Sequence, residues 1–143
     1  MAALNRFISK LADRCRPFFL LQHKWKGFEW TDECAVTFQQ LKQYLSYPPI
    51  ISSPVVDEVL FAYLAVTFYA ISFVMIRVDN GIQQPIYYVS KSLNKVEVRY
   101  LPLEKAILAV VYAIRKLPHY FQAHIVVILT QLPLKSKIGR AHV

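Results

Sequence analysis

A carboxylate is the group that metal or acid–base chemistry would need, and Glu104 is the last one along this chain. It follows Arg99-Tyr100-Leu101-Pro102-Leu103, at the start of an apolar stretch with helical spacing. The other acidic residues are Asp13, Glu29, Asp32, Glu33, Asp57, Glu58, Asp79 and Glu97, and residues 105–143 carry none. A hard cation such as Mg²⁺ needs several oxygens converging on one point. Metal-dependent chemistry here would therefore draw on very few groups. Taken alone, Glu104 also reads as an ordinary first-turn residue favoured by the helix dipole. His119 and His124 could be offered as ligands, but a lone His beside an apolar strand is more often structural. Cys15 and Cys34 form no CxxC pair, so neither a zinc site nor a disulfide scaffold is indicated.

The balance of charge points elsewhere. Seventeen Lys and Arg against nine Asp and Glu give +8, with a pI near 9.6. Such an excess suits a polyanionic partner, either nucleic acid or an anionic membrane surface. A hydrophobic share of 55% over 143 residues argues against disorder and allows a real core in one domain. No signal peptide is visible at residues 1–20, so an intracellular, reducing location is expected.

The elements that must position these groups follow from periodicity. Residues 2–16 read as an amphipathic helix, with Leu4, Phe7, Ile8, Leu11 and Cys15 on one face, stopped by Pro17. Thr31 is an N-cap for a second helix, with Asp32 and Glu33 in its first turn. Its expected apolar face is Ala35, Phe38, Leu41 and Leu45, and Pro48-Pro49 ends it. Residues 59–76 carry no charge. That length could just span a bilayer, or it could be two strands broken near Thr67-Phe68-Tyr69. Its Val, Ile, Phe, Tyr and Thr content favours strands. Asp79-Asn80-Gly81 is a hairpin signal, predicting strands over about 71–78 and 84–90. Pro102 opens a helix to about Lys116, with Leu103, Ile107, Val110, Val111 and Ile114 toward a core. Residues 124–130 suit a central buried strand. The order strand, strand, strand, helix, strand is an α/β sheet with an antiparallel front half.

Three segments, FEWTDECAVTFQQLKQYLSYPPI, QQPIYYVSKSLNKVEVRYLPLEKAILAVVYAIRKLPHYF and VVILTQLPL, give the chain a family likeness. It resembles the polyprotein of gypsy-type LTR retrotransposons, most closely the plant-type members. The matching region, about residues 2–137, is the end of the reverse transcriptase and the front of its ribonuclease H domain. The resemblance implies a truncated ribonuclease H-like mixed sheet, with three antiparallel strands, a helix and a fourth strand, preceded by two helices. It divides the chain into a helical reverse transcriptase end over 1–50 and a partial ribonuclease H-like domain over 51–137. The first helices would then pack against polymerase.

Active members of this family cleave the RNA of an RNA/DNA hybrid with two Mg²⁺ ions held by converging carboxylates. The resemblance places the helix carboxylate on Glu104. It places the first-strand Asp on Ala65 and the fourth-strand Asp on Gln131, after Thr130. One carboxylate gives Mg²⁺ little affinity and cannot position two ions. The implied cofactor is therefore expected to be missing, and the chain to be inactive. Either a degenerate connecting domain, as in some plant gypsy-type elements, or simple decay of an element would give this pattern. Expected partners are the remainder of the polyprotein and RNA/DNA hybrid. Lys91, Lys95, Arg99 and Lys105 cluster around the helix start as candidate backbone contacts. An ordinary solvated basic face explains each of them as well. The alternatives are an active Mg²⁺-dependent ribonuclease H and a small membrane protein anchored by residues 59–76.

Residues 138–143, Ile-Gly-Arg-Ala-His-Val, depart from the family. They can be encoded by a common sequencing-adapter string, and are expected to be a read-through tail. A genomic sequence identical to the adapter at these codons would refute that expectation.

Overall fold

The computed structural model describes residues 6–22, 29–46 and 51–133. Residues 134–143, with the expected tail, lie outside them, as do residues 2–5 of the first expected helix and Pro48-Pro49.

The uncharged run forms two strands, β1 (Leu60–Val66) and β2 (Ala70–Asp79), which pair antiparallel with Phe61 opposite Ile76 and Val66 opposite Ile71. Thr67 closes the turn between them. Its N–H donates to the Ala70 carbonyl at 2.9 Å, and its hydroxyl accepts the Ala70 N–H at 3.1 Å. Among the described residues no helix is long and apolar enough to cross a membrane. The next turn holds Asn80 at φ 49° and Gly81 at φ 79°, the positive pair that a tight primed turn needs. It leads into β3 (Ile82–Ser92), antiparallel to β2. The register slips at Met75/Ile76, opposite Pro85 and Tyr87, leaving Ile86 as the extra residue. Pro85 lacks an N–H for the ladder, so a bulge on this edge strand is where it fits.

After a 3₁₀ turn (Glu97–Arg99), helix α4 (Pro102–Lys116) and the short α5 (Pro118–Ala123) cross over to β4 (Val126–Leu129). β4 runs parallel to β1, and the sheet order is β3-β2-β1-β4. β4, expected to be central, is thus the edge of the described sheet, with Ile125 just before it exposed. α5 was not foreseen, because six residues are too few to show a helical period.

The core lies between α4 and one face of the sheet. Leu60, Ala62, Phe73, Met75, Ile86 and Val89 meet Ala106, Val110, Ala113 and Leu117. Small residues at 106, 109 and 113 let the helix approach the strands closely. Of the expected α4 face, Val110 is buried and Leu103 and Ile107 pack against the core, whereas Val111 and Ile114 are exposed and Ala106, Ala109 and Ala113 are buried instead. Helical spacing fits both faces, and the ring of alanines decides which one docks.

The lead segment packs on the opposite side of the sheet. It is not one helix stopped by Pro17. Lys10 is left-handed at φ 52°, α1 is only Leu11–Arg14, and α2 runs Arg16–Gln22 with Pro17 inside its first turn. A first-turn proline loses no hydrogen bond, because that N–H has no helical acceptor. Ile8, Leu11 and Cys15 form a second cluster, flanked by Phe18, Phe19, Leu41 and Tyr44. Helix α3 (Asp32–Ser46) begins where expected, with the Thr31 hydroxyl accepting the Cys34 N–H at 3.3 Å. Its buried side is Cys34 and Thr37 rather than Ala35, Phe38 and Leu45; of those expected residues only Leu41 packs on the cluster.

Two polar ties join the lead to the sheet. The Ala12 N–H donates to Ser90 Oγ at 3.0 Å, and the Thr67 hydroxyl donates to Asp13 Oδ1 at 2.9 Å. The lead segment therefore contacts the strands directly.

Candidate functional site

The first turn of α4 shows what Glu104 does. The Leu101 N–H donates to Glu104 Oε2 at 2.8 Å, so the carboxylate caps its own helix. Leu101 has no side-chain acceptor to offer, and only this return arm of a capping box is made. Ala65 sits in β1 opposite Ser72 and supplies no ligand atom. Gln131 follows β4 at a bend, with a neutral amide. Among the described residues no three His, Cys, Asp or Glu come together to hold a metal ion. The Mg²⁺ pair implied by the resemblance does not fit this donor set: one carboxylate oxygen is committed to a helix cap, and both expected partner positions lack a charge.

The expected basic cluster divides in two. Lys105 is only 5% exposed, and its ammonium donates to the carbonyls of Phe68 at 3.1 Å and Thr67 at 3.4 Å. That corrects its expected role as a phosphate contact: a four-carbon stem leaving the first turn of α4 reaches the β1–β2 turn instead. Lys91 is bound to Glu97 at 2.6 Å, which cancels its charge. Burial would raise the Glu97 carboxyl, but the Lys91 ammonium and the Asn94 N–H together hold it below the usual carboxylate value. Asn94 returns the bond, its Oδ1 accepting the Glu97 N–H at 2.9 Å, so residues 94–97 form a reciprocal capping box. Lys95 and Arg99 remain exposed beside this turn.

The histidines are accounted for by position. His124 Nδ1 lies 2.9 Å from the Glu58 carbonyl, which can only accept, so that nitrogen carries the proton. His119 is exposed on α5. Glu58 itself pairs with Arg77 at 3.1 Å. The Val55 N–H, with Arg77 beside it, holds the Glu58 carboxyl low. Cys15 is buried, which pushes its thiol up and makes it a poor nucleophile.

Between the C-terminal ends of β1 and β4 and the start of α4 lies a cleft of ≈ 930 Å³, lined among others by Tyr63, Phe68, Lys105, Thr130 and Gln131. Phe68 at its rim is 62% exposed and the adjacent Tyr69 44%. Their rings meet edge to face, with centroids 4.7 Å apart. The Arg16 guanidinium lies 3.6 Å from the Tyr69 centroid, and the Lys105 ammonium 5.3 Å from that of Phe68. Sequence reasoning used Phe68 and Tyr69 only to mark a strand break. The signal it passed over was two adjacent aromatics in a turn, a place where large rings stay exposed.

A family model described as the RNase H-like domain found in reverse transcriptase matches residues 30–128. The retrovirus-related Pol polyprotein from transposon 412 of Drosophila melanogaster is 31% identical over 131 residues, covering 91% of this chain and 11% of the polyprotein. That from transposon opus of the same organism is 33% identical over 90 residues, covering 62% of this chain and 9% of the polyprotein. The chain thus spans about a tenth of the length of these relatives. Among solved structures, the foamy viral protease-reverse transcriptase in complex with dsDNA superposes with a TM-score of 0.79 at 17% identity, over 96% of this chain and 29% of that one. The same enzyme in complex with RNA/DNA hybrid gives 0.72 at 17% identity, over 98% and 20%. At such identity the likeness speaks for the fold.

Proposed function

Because the chain belongs to the family of RNase H-like domains found in reverse transcriptase, we propose that it is a non-catalytic connecting and nucleic-acid-contacting piece of a retrotransposon Pol polyprotein. The observation that carries this reading is the fate of the carboxylates. Ala65 and Gln131 stand where the family resemblance puts aspartates, and the remaining Glu104 is turned onto the Leu101 N–H. The gypsy-type, plant-type assignment rests on PIYYVSKSL and RYLPLEK, while the matched relatives are Drosophila transposons. Contact with RNA/DNA hybrid is assigned to exposed Lys95 and Arg99 and to the overall +8 charge. The foamy viral relatives were solved with dsDNA and with RNA/DNA hybrid, which supports this choice of partner.

The test is a cleavage assay. The full chain, incubated with end-labelled RNA/DNA hybrid and Mg²⁺ or Mn²⁺, is expected to leave the RNA intact, as is Glu104→Gln. Cleavage that disappears in Glu104→Gln would overturn the inactive reading and reinstate an active nuclease.

A further inference from the structure

We propose that the β1–β2 turn is a stacking site for unpaired bases of single-stranded nucleic acid, formed by Phe68, Tyr69 and Arg16. The inference rests on the nucleic-acid reading above and adds to it a second site of different chemistry.

Three observations converge. The first is exposure: Phe68 at 62% and Tyr69 at 44% put two aromatic rings in water at one turn. Every base has a π-face, so exposed rings bind single strands with little regard to sequence, whereas a duplex hides its base faces. The second is rigidity. The Lys105 ammonium holds the Thr67 and Phe68 carbonyls, and the Thr67 hydroxyl is tied to Asp13. A braced turn loses little conformational freedom on binding. The third is charge. Arg16 stacks on Tyr69 at 3.6 Å, and its N–H edges make no hydrogen bond among the described residues. A guanidinium seated on a ring keeps its fork for a phosphate. Asp13 is the acidic residue that contacts this turn, and Thr67 already donates to it. Phe68 and Lys105 both line the cleft of ≈ 930 Å³, which is roomy enough for a nucleotide beside the exposed ring.

Fluorescence anisotropy of a labelled oligo(dA) of about twelve nucleotides, within the usual single-strand site size, tests this on the full chain. Phe68→Ala is expected to weaken single-strand binding about 5- to 150-fold and to leave RNA/DNA hybrid binding unchanged. Phe68→Leu, apolar without a π-face, should not restore it. Phe68→Trp should restore it, with indole fluorescence quenched on binding. Wild-type affinity in Phe68→Ala and Tyr69→Ala, rescue by Leu, or a Trp variant that binds unquenched would each overturn the proposal. If Lys95→Ala/Arg99→Ala weakens hybrid binding while the Phe68 variants change nothing, the stacking site falls and the connecting-domain reading stands. A wild-type chain that binds neither probe defeats both.

Discussion

Replacing Lys105 by methionine separates two accounts of the same residue. Methionine keeps the apolar stem and removes only the ammonium. In the structure Lys105 is 5% exposed, and its ammonium serves the Phe68 carbonyl at 3.1 Å, with Thr67 at a weaker 3.4 Å. A hydrogen bond from a charged donor contributes about 1.5–3 kcal/mol. Burying the cation opposes this and offsets part of the gain. A net loss of about 1–2 kcal/mol follows, or roughly 3–8 °C in Tm for a chain of this size if it unfolds in one step. Circular dichroism during urea and thermal unfolding measures it. A phosphate contact predicts the reverse pattern: unchanged stability, and a hybrid-binding salt slope shallower by about 1. Lys105→Met as stable as the wild type, with such a loss of slope, would refute the structural reading.

Other expectations follow from the same contacts. Glu104→Ala removes the bond to the Leu101 N–H and should destabilise the fold by about 0.5–2 kcal/mol in urea titrations, a cost unconnected with catalysis. The Glu58 and Glu97 carboxyls are both held below their usual value of 4.5, so their stabilisation is present above pH 4.5 and is lost as pH falls through the lowered values. Urea midpoints should therefore drop below about pH 4.5, less steeply in Glu97→Gln; an equal drop in that variant would count against the Lys91 pair. Gly81→Ala meets no neighbour within 4 Å but must hold φ 79°, which predicts a loss of about 1–2 kcal/mol from backbone strain alone. A neutral result in thermal unfolding would mean that the turn changes type.

The sheet was legible because its signals are local. The break at residues 67–69, the Asn80-Gly81 turn and Pro102 at a helix start each act within a few residues, and each appears where its chemistry demands. The lead was not legible in the same way. Its apolar spacing fits one helix, but Lys10 turns left-handed and Pro17 opens a new helix, because docking of Ile8, Leu11 and Cys15 decides the path. The face of α3, and the Val111 and Ile114 side of α4, were misread for a related reason. Several helical stripes were available, and the winning one was set by the partner surface. At the candidate site, the family resemblance marked Ala65 and Gln131 as positions where carboxylates were expected. It could not reveal that Lys105 is consumed by backbone carbonyls 37 and 38 residues away in sequence.

The two ties between the lead and the sheet also order the folding reaction in time. Ala12 and Ser90 are 78 residues apart, and Asp13 and Thr67 are 54 apart, whereas β1–β2 and β2–β3 close across short turns. Closing a long loop costs entropy before any contact is gained, so the three-stranded meander with α4 is expected to form first and the lead to dock last. By the same argument the lead opens first. Amides around Ser90 and Thr67 should exchange hydrogen faster than those of Met75 in the β2 interior. The lead can therefore come and go as a latch while the strands beneath it persist.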